Sequence, residues 1–233
     1  MGLTKDEHKR MAKEYIDKYK PRLIVGSPMC AMFSALQNLT PWSEEKQHRW
    51  REDRKHLQFV GELYKQQVKE GRWFLHIHPA SATSWSLKEI TDVMDMEGVD
   101  VTAADQCMFG LKTWGMDGKS WEPAMKKTRF MSNSPEILSE LTRKCDEQHR
   151  HQQLLGSRAG PAARYPEGLC RAICIGLMKG LRNKECHVKK MLELTEHTTI
   201  GEIPEEETVD FDTGAWDDVT GKALDPKRCD RRG

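Results

Sequence analysis

Residues 26–34 read GSPMCAMFS, and Cys30 in that stretch has the chemistry of a nucleophile. A cysteine reacts as its thiolate, so it needs a lowered pKa or an activating neighbour, and a strand-end loop near a helix N-terminus offers one. Cysteine is also among the most often buried residue types, and composition alone reads Cys30 as an inert core thiol. A second group lies in CDEQHRH, residues 145–151, where Cys145, His149 and His151 stand close to Asp146 and Glu147. Cysteine and histidine at such spacing can ligate zinc, but a structural zinc site takes four ligands. The run itself supplies three; a fourth is not evident, although Cys107 or Cys170 could come close in space. Taken alone, the run reads as a solvated polar turn after a helix. His76 and His78 form a third group. Two residues apart on a strand, they share one face, opposite to Ile77, and two donors do not make a metal site.

These residues need elements to hold them. Thr4-x-x-Glu7 forms a capping box that opens a helix to about Lys20, ended by Pro21. RLIVG is short, apolar and glycine-terminated, as a buried parallel strand is. The Cys30 loop follows, with room for a helical turn. Ser43 caps a long helix whose face carries Trp50, Leu57, Val60, Tyr64 and Val68, with Gly71 as its stop. RWFLHIHP reads as a second strand, SLKEITDVMDMEG as a helix and VDVTAADQ as a third strand. CMFGLKTWGMDGKSWEPAM reads as a loop, KKTRFMSN as a fourth strand, and Ser134-Pro135 opens another helix. Residues 144–166 read as loop, and EGLCRAICIGLMKGL as an apolar helix. Strands alternating with helices predict an α/β fold, parallel for the first three strands with right-handed crossovers. Ligands of such sheets bind beyond the carboxyl ends of the strands, and SPMC, HIHP and DQCMFG all fall there.

The chain has 233 residues, 37% hydrophobic and 31% charged, so it is polar for a compact domain. A domain over 1–195 and a flexible tail or linker over 196–233 are expected, the latter being acidic and then mixed in charge. The formal net charge of +1 advertises no global polyanion site, so any nucleic-acid contact must be local. AMKKTRF and GSRAGPAARYP are the basic candidates for a DNA-backbone contact, and Trp114 and Trp121 could stack on bases or pack on the sheet. The helix over 43–70 mixes both signs of charge and reads as a solvated face. No apolar run approaches a membrane span, the N-terminus lacks a secretory h-region, and Asp6 breaks the myristoylation pattern. Seven cysteines without a paired framework then predict reduced thiols in a nuclear or cytoplasmic compartment.

GSPMCAMFS resembles the catalytic loop of cytosine-5 DNA methyltransferases, G-x-P-P-C-x-x-F-S. RWFLHIHP stands where that family has a strand ending in Glu-Asn-Val or Glu-Asn-Pro. Phe109-Gly110 and then KKTRFMSN stand where it has Phe/Tyr-Gly and a basic strand, closest to the K-P-T-x-x-x-T-N variant. The resemblance covers roughly residues 15–180. It implies a partial Rossmann-like methyltransferase sheet acting on duplex DNA with S-adenosylmethionine as methyl donor. In that chemistry a cysteine thiolate adds to cytosine C6, C5 becomes enamine-like, a Glu holds the base edge, and the base is flipped out of the duplex. Cys30 is then the nucleophile, Arg129 the basic-strand residue near the base, and Pro28 shapes the loop beside the cofactor.

The chain departs from this pattern in two residues. Met29 replaces the second proline, and Ile77 takes the position of the Glu, where it can neither donate nor accept a hydrogen bond. The family's first strands and glycine-rich cofactor loop lie upstream of the Pro-Cys loop, and only about twenty residues precede RLIVG here. The expectation is a methyltransferase-like domain that lacks the cofactor half and does not turn over. The tail AWDDVTGKALDPKRCDRRG resembles the linker before the reverse transcriptase of copia-type retroelement polyproteins. This gives an alternative: a non-catalytic retroelement segment with a nucleic-acid-binding or structural role.

Overall fold

The computed structural model describes residues 6–196. Thr4 of the capping box, and the tail with its retroelement-like segment from residue 197 on, lie outside them. The chain divides into two compact units after Gly180, and among the described residues the second holds only the end of the last helix.

Helix α1 (Asp6–Tyr19) leads into β1 (Leu23–Gly26), and two short 3-10 turns, Ala31–Phe33 and Ala35–Leu39, follow the Cys30 loop. Helix α2 (Glu44–Lys69) starts where Ser43 Oγ accepts the Lys46 N–H at 3.2 Å, relieving one orphan donor of its first turn. It stops at Gly71, whose φ of +66° is the left-handed conformation that glycine enters without penalty. β2 (Trp73–Pro79), α3 (Lys88–Met94) and β3 (Asp100–Asp105) come next. β4 (Lys112–Trp114), β5 (Trp121–Met125), β6 (Lys127–Ser132), α4 (Pro135–Glu140), β7 (Gln152–Gln153) and α5 (Glu167–Glu196) complete the order.

The main sheet runs β1-β2-β6-β3. β1 is parallel to β2, and β6 is antiparallel to both β2 and β3, so the first three strands all point the same way with β6 inserted. Both faces are covered, so β2 is buried along almost its whole length and β6 over its second half. On one face Phe74 and Met131 pack with Phe33, Leu57, Tyr64 and Ile90 from the Cys30 loop, α2 and α3. On the other, Leu75, Ile77 and Phe130 pack with Ile137, Leu141 and Leu169 beneath α4 and α5. The register His76↔Met131 and Ile77↔Phe130 fixes this alternation, since a slip of one residue would turn the histidines into the second core. Asn133 pins the far end of β2, accepting the Phe74 N–H at 3.0 Å and donating to the Arg72 carbonyl at 2.8 Å.

The stretch 107–125, expected as loop, contains an antiparallel hairpin instead. Trp114 faces Trp121 across β4 and β5 with ring centroids 4.5 Å apart, a pairing that stabilises a short ribbon. Its turn is held by Asp117, whose carboxylate accepts the N–H groups of Lys119 and Ser120. β5 also pairs in parallel with the two-residue β7, making a second, small mixed sheet β4-β5-β7. The last helix runs beyond the expected apolar segment to Glu196. No described helix is long and apolar enough to cross a membrane.

Candidate functional site

The Cys30 loop leaves the carboxyl end of β1 and crosses the end of β2. Gly26 lets it do so: a Cβ there would stand 1.8 Å from Tyr64 Oη. Pro28 is buried, Cys30 half-buried and Met29 exposed. The backbone of Pro28 and Met29 lies against His78. The Cys30 thiol has Lys126 and Tyr165 as charge-coupled neighbours. Lys126 donates to the Ala162 carbonyl at 2.7 Å with its amine over the Tyr165 ring, and Ser27 Oγ meets Tyr165 Oη at 2.5 Å. Burial lowers the Lys126 pKa, while a Cys30 thiolate acts in the opposite sense. Burial raises that of Tyr165, and the Ser27 hydroxyl offsets part of the rise.

Arg129 lies in β6, across from His78, against which the Cys30 loop packs. Its guanidinium stands 4.5 Å over the Trp85 ring. Ile77, at the position the resemblance gives to Glu, is 2% exposed and packed among Leu75, Phe130 and Leu169. His76 and His78 point to the opposite face, their rings 5.3 Å apart. Each is tied to its own partner through Nδ1: His76 to the Tyr64 hydroxyl at 3.0 Å, His78 to Ser84 Oγ at 2.6 Å. Burial holds His76 well below the usual imidazole range, with His78 adding to the effect. Burial also brings His78 down to about 4, with the backbone of Pro28 and Met29 offsetting part of the shift. Both rings are neutral core groups at neutral pH.

Pro28, the residue the resemblance assigns to the cofactor side, is buried against His78 and offers little surface to a bound S-adenosylmethionine. Ile77, at the position the resemblance gives to the base-holding Glu, gives a flipped base no polar partner.

A second cluster lies beyond the carboxyl end of β3. The 3-10 turn Gln106–Phe109 carries Cys107, and the segment after α4 brings Cys145, His149 and His151 to it. The four donor atoms lie within 4.8 Å of one another. Burial and the Cys145 thiol push the Cys107 pKa up to about 11. Three of these residues stand out in the sequence, and the spacing of 145, 149 and 151 is the signal. The fourth comes from a different element, so the run in isolation reads as a solvated turn.

No family model, no curated protein and no solved structure matches this chain.

Proposed function

We propose that the chain is a cytosine-5 DNA methyltransferase-like domain that has lost the methyl-transfer reaction and keeps a DNA-facing rim. The observation that carries this reading is the position of Cys30. It stands on a proline-shaped loop beyond the carboxyl end of β1, where open α/β sheets place their ligands, with the half-buried cation Lys126 as a neighbour. The reading draws on the landmarks of the resemblance: the Cys30 loop follows β1, Ile77 lies in β2, Phe109-Gly110 follows β3 and Arg129 lies in β6. Loss of the reaction follows from Ile77. Addition of a thiolate to C6 puts negative charge into the ring, and a base held by no carboxyl group has no partner to take up that change. An apolar side chain packed at 2% exposure cannot assume the role by a rotamer change. Attraction to DNA rests on Lys127, exposed at the start of β6, with Arg129 two residues along the same strand.

Two measurements on the full chain test this reading. Duplex DNA binding followed by fluorescence anisotropy should weaken steeply with added salt; absence of salt-dependent binding overturns the DNA-facing rim. Incubation with a duplex containing 5-fluorocytosine, with added S-adenosylmethionine, should give no covalent adduct. An adduct formed by the chain and lost in Cys30→Ser overturns the loss of the reaction.

A further inference from the structure

We propose that Cys107, Cys145, His149 and His151 bind one zinc ion and that this ion fastens the segment 143–153 to the end of β3. The site is independent of the DNA reading above.

The geometry of the four donors is the first argument. Cys145 Sγ is 3.5 Å from His149 Nε2 and 3.4 Å from His151 Nε2. His151 Nε2 is 3.3 Å from Cys107 Sγ and 3.0 Å from His149 Nε2. Around a tetrahedral zinc, with Zn–S at about 2.3 Å and Zn–N at about 2.0 Å, donors stand roughly 3.3–3.8 Å apart. The cluster already has nearly that size, with both imidazoles presenting Nε2 inwards.

Hydrogen bonding alone does not account for this convergence. His151 Nε2 faces two sulfurs and a second imidazole nitrogen, all at 3.5 Å or less. A ring nitrogen carries either one proton or one lone pair, so it can satisfy one of these neighbours well and not three. A cation at the centre satisfies all four donors at once.

The surroundings supply what zinc ligands require. The Glu147 N–H donates to Cys145 Sγ at 3.3 Å, an outer hydrogen bond that orients a ligating sulfur. Asp146 Oδ1 stands 3.9 Å from His149 Nδ1, on the side where an outer carboxylate orients a metal-bound imidazole. Asp146 also accepts the Gln148 N–H at 3.2 Å, and Glu147 takes a φ of +60°. That left-handed residue turns the chain so that His149 comes back over Cys145; a non-glycine residue holds the conformation only where its surroundings enforce it. The cluster opens into a cleft that Asp105, Met125, Lys126 and Lys127 also line, which gives an ion a way in.

Residues 143–153 read RKCDEQHRHQQ and contain no large apolar side chain. The segment nevertheless lies ordered against the sheet: the Asp105 N–H donates to the Arg143 carbonyl at 3.0 Å, and the Cys145 N–H to Asp105 Oδ2 at 2.9 Å. Without a core to bury, such a segment needs another source of free energy to offset its lost conformational freedom, and a metal supplies it. Two sulfurs and two imidazole nitrogens in a tetrahedron select zinc among the common divalent ions. Four protein donors leave no position for water or substrate, so the ion is structural rather than catalytic.

The test uses the full chain purified under reducing conditions. After exhaustive dialysis it should retain one equivalent of zinc. Replacing zinc by cobalt should give the intense ligand-field absorption of a tetrahedral ion together with thiolate-to-cobalt charge transfer. Cys145→Ser and His149→Ala should each retain less than about a tenth of the metal. Cys30→Ser, outside the cluster, should retain all of it. An unsubstituted chain that holds no stoichiometric zinc, or whose cobalt form shows an octahedral spectrum, overturns the proposal. The cobalt spectrum belongs to the unsubstituted chain, so it decides the matter even where a variant fails to fold. Metal retained undiminished by both variants also overturns it.

Discussion

The main sheet and the region beyond β3 are held in different ways. In the sheet, β2 and β6 put apolar side chains on both faces, and Phe74, Leu75, Phe130 and Met131 are all fully buried. In the small sheet the apolar cluster amounts to Leu111, Ala124 and Ala162, with Leu154 against them. Residues 143–151 add no large apolar side chain, but they bring three of the four donors of the zinc cluster. The first region gains its stability from area removed from water, which is non-directional and spread over many contacts. The second relies on a few directional bonds whose donors must all be present together. The two regions should therefore fail differently.

The largest effect should come from the sheet. Phe130→Ala removes a side chain enclosed by Ile77, Ile137 and Leu169, and it should cost about 3–5 kcal/mol of unfolding free energy in urea titration. A loss under about 1 kcal/mol would show that this core is not what holds the molecule.

Acid should act on the same region. His76 and His78 are buried neutral, and their folded pKa values lie below those of the unfolded chain. The unfolded state therefore binds protons first, and stability falls as pH drops below about 6.5. For His78, with a folded value of about 4, the loss accumulates between pH 6.5 and 4 and reaches about 3 kcal/mol. His76, also held low by burial, adds to the loss. Tyr64, Ser84, Trp85 and Arg129 surround the two rings and supply no carboxylate to compensate a second charge. Denaturant midpoints that stay constant from pH 7 to pH 4 would contradict this account.

How much of each region the sequence discloses follows from the same contrast. The apolar residues of RWFLHIHP, stopped by Pro79, and those of KKTRFMSN reveal β2 and β6, and the Ser43 cap and Gly71 stop reveal α2, because burial and capping act over a few neighbouring residues. Strand parity puts Ile77 opposite His76 and His78, as found. What the sequence leaves hidden depends on partners far along the chain. That β6 inserts between β2 and β3 is a matter of tertiary pairing. β4 and β5 are short and glycine-flanked, and a Trp114–Trp121 contact is invisible in either strand alone. Cys107 precedes Cys145 by a helix and three strands, so the spacing of 145, 149 and 151 announces three donors while the sequence leaves Cys107 and Cys170 as rival candidates for the fourth.

The sharpest comparison comes from removing the ion. A chelator added to the zinc-loaded chain should release the segment 143–153 and leave the sheet folded, because none of the four donors belongs to either apolar core. Amide hydrogen exchange resolves the two regions. The Cys145 and Glu147 amides, bonded to Asp105 and to the Cys145 sulfur, should lose protection, as should those of β7. Amides in the centre of β2 and β6 should keep exchanging only through global unfolding. Equal acceleration in both regions would mean that the ion holds the whole domain, and the division into an apolar half and a metal-fastened half would fall. Unchanged protection around Cys145 would mean that hydrogen bonds and the small apolar cluster suffice there. Fast exchange confined to 143–153 and β7 would locate the boundary between the two kinds of stability at the carboxyl end of β3.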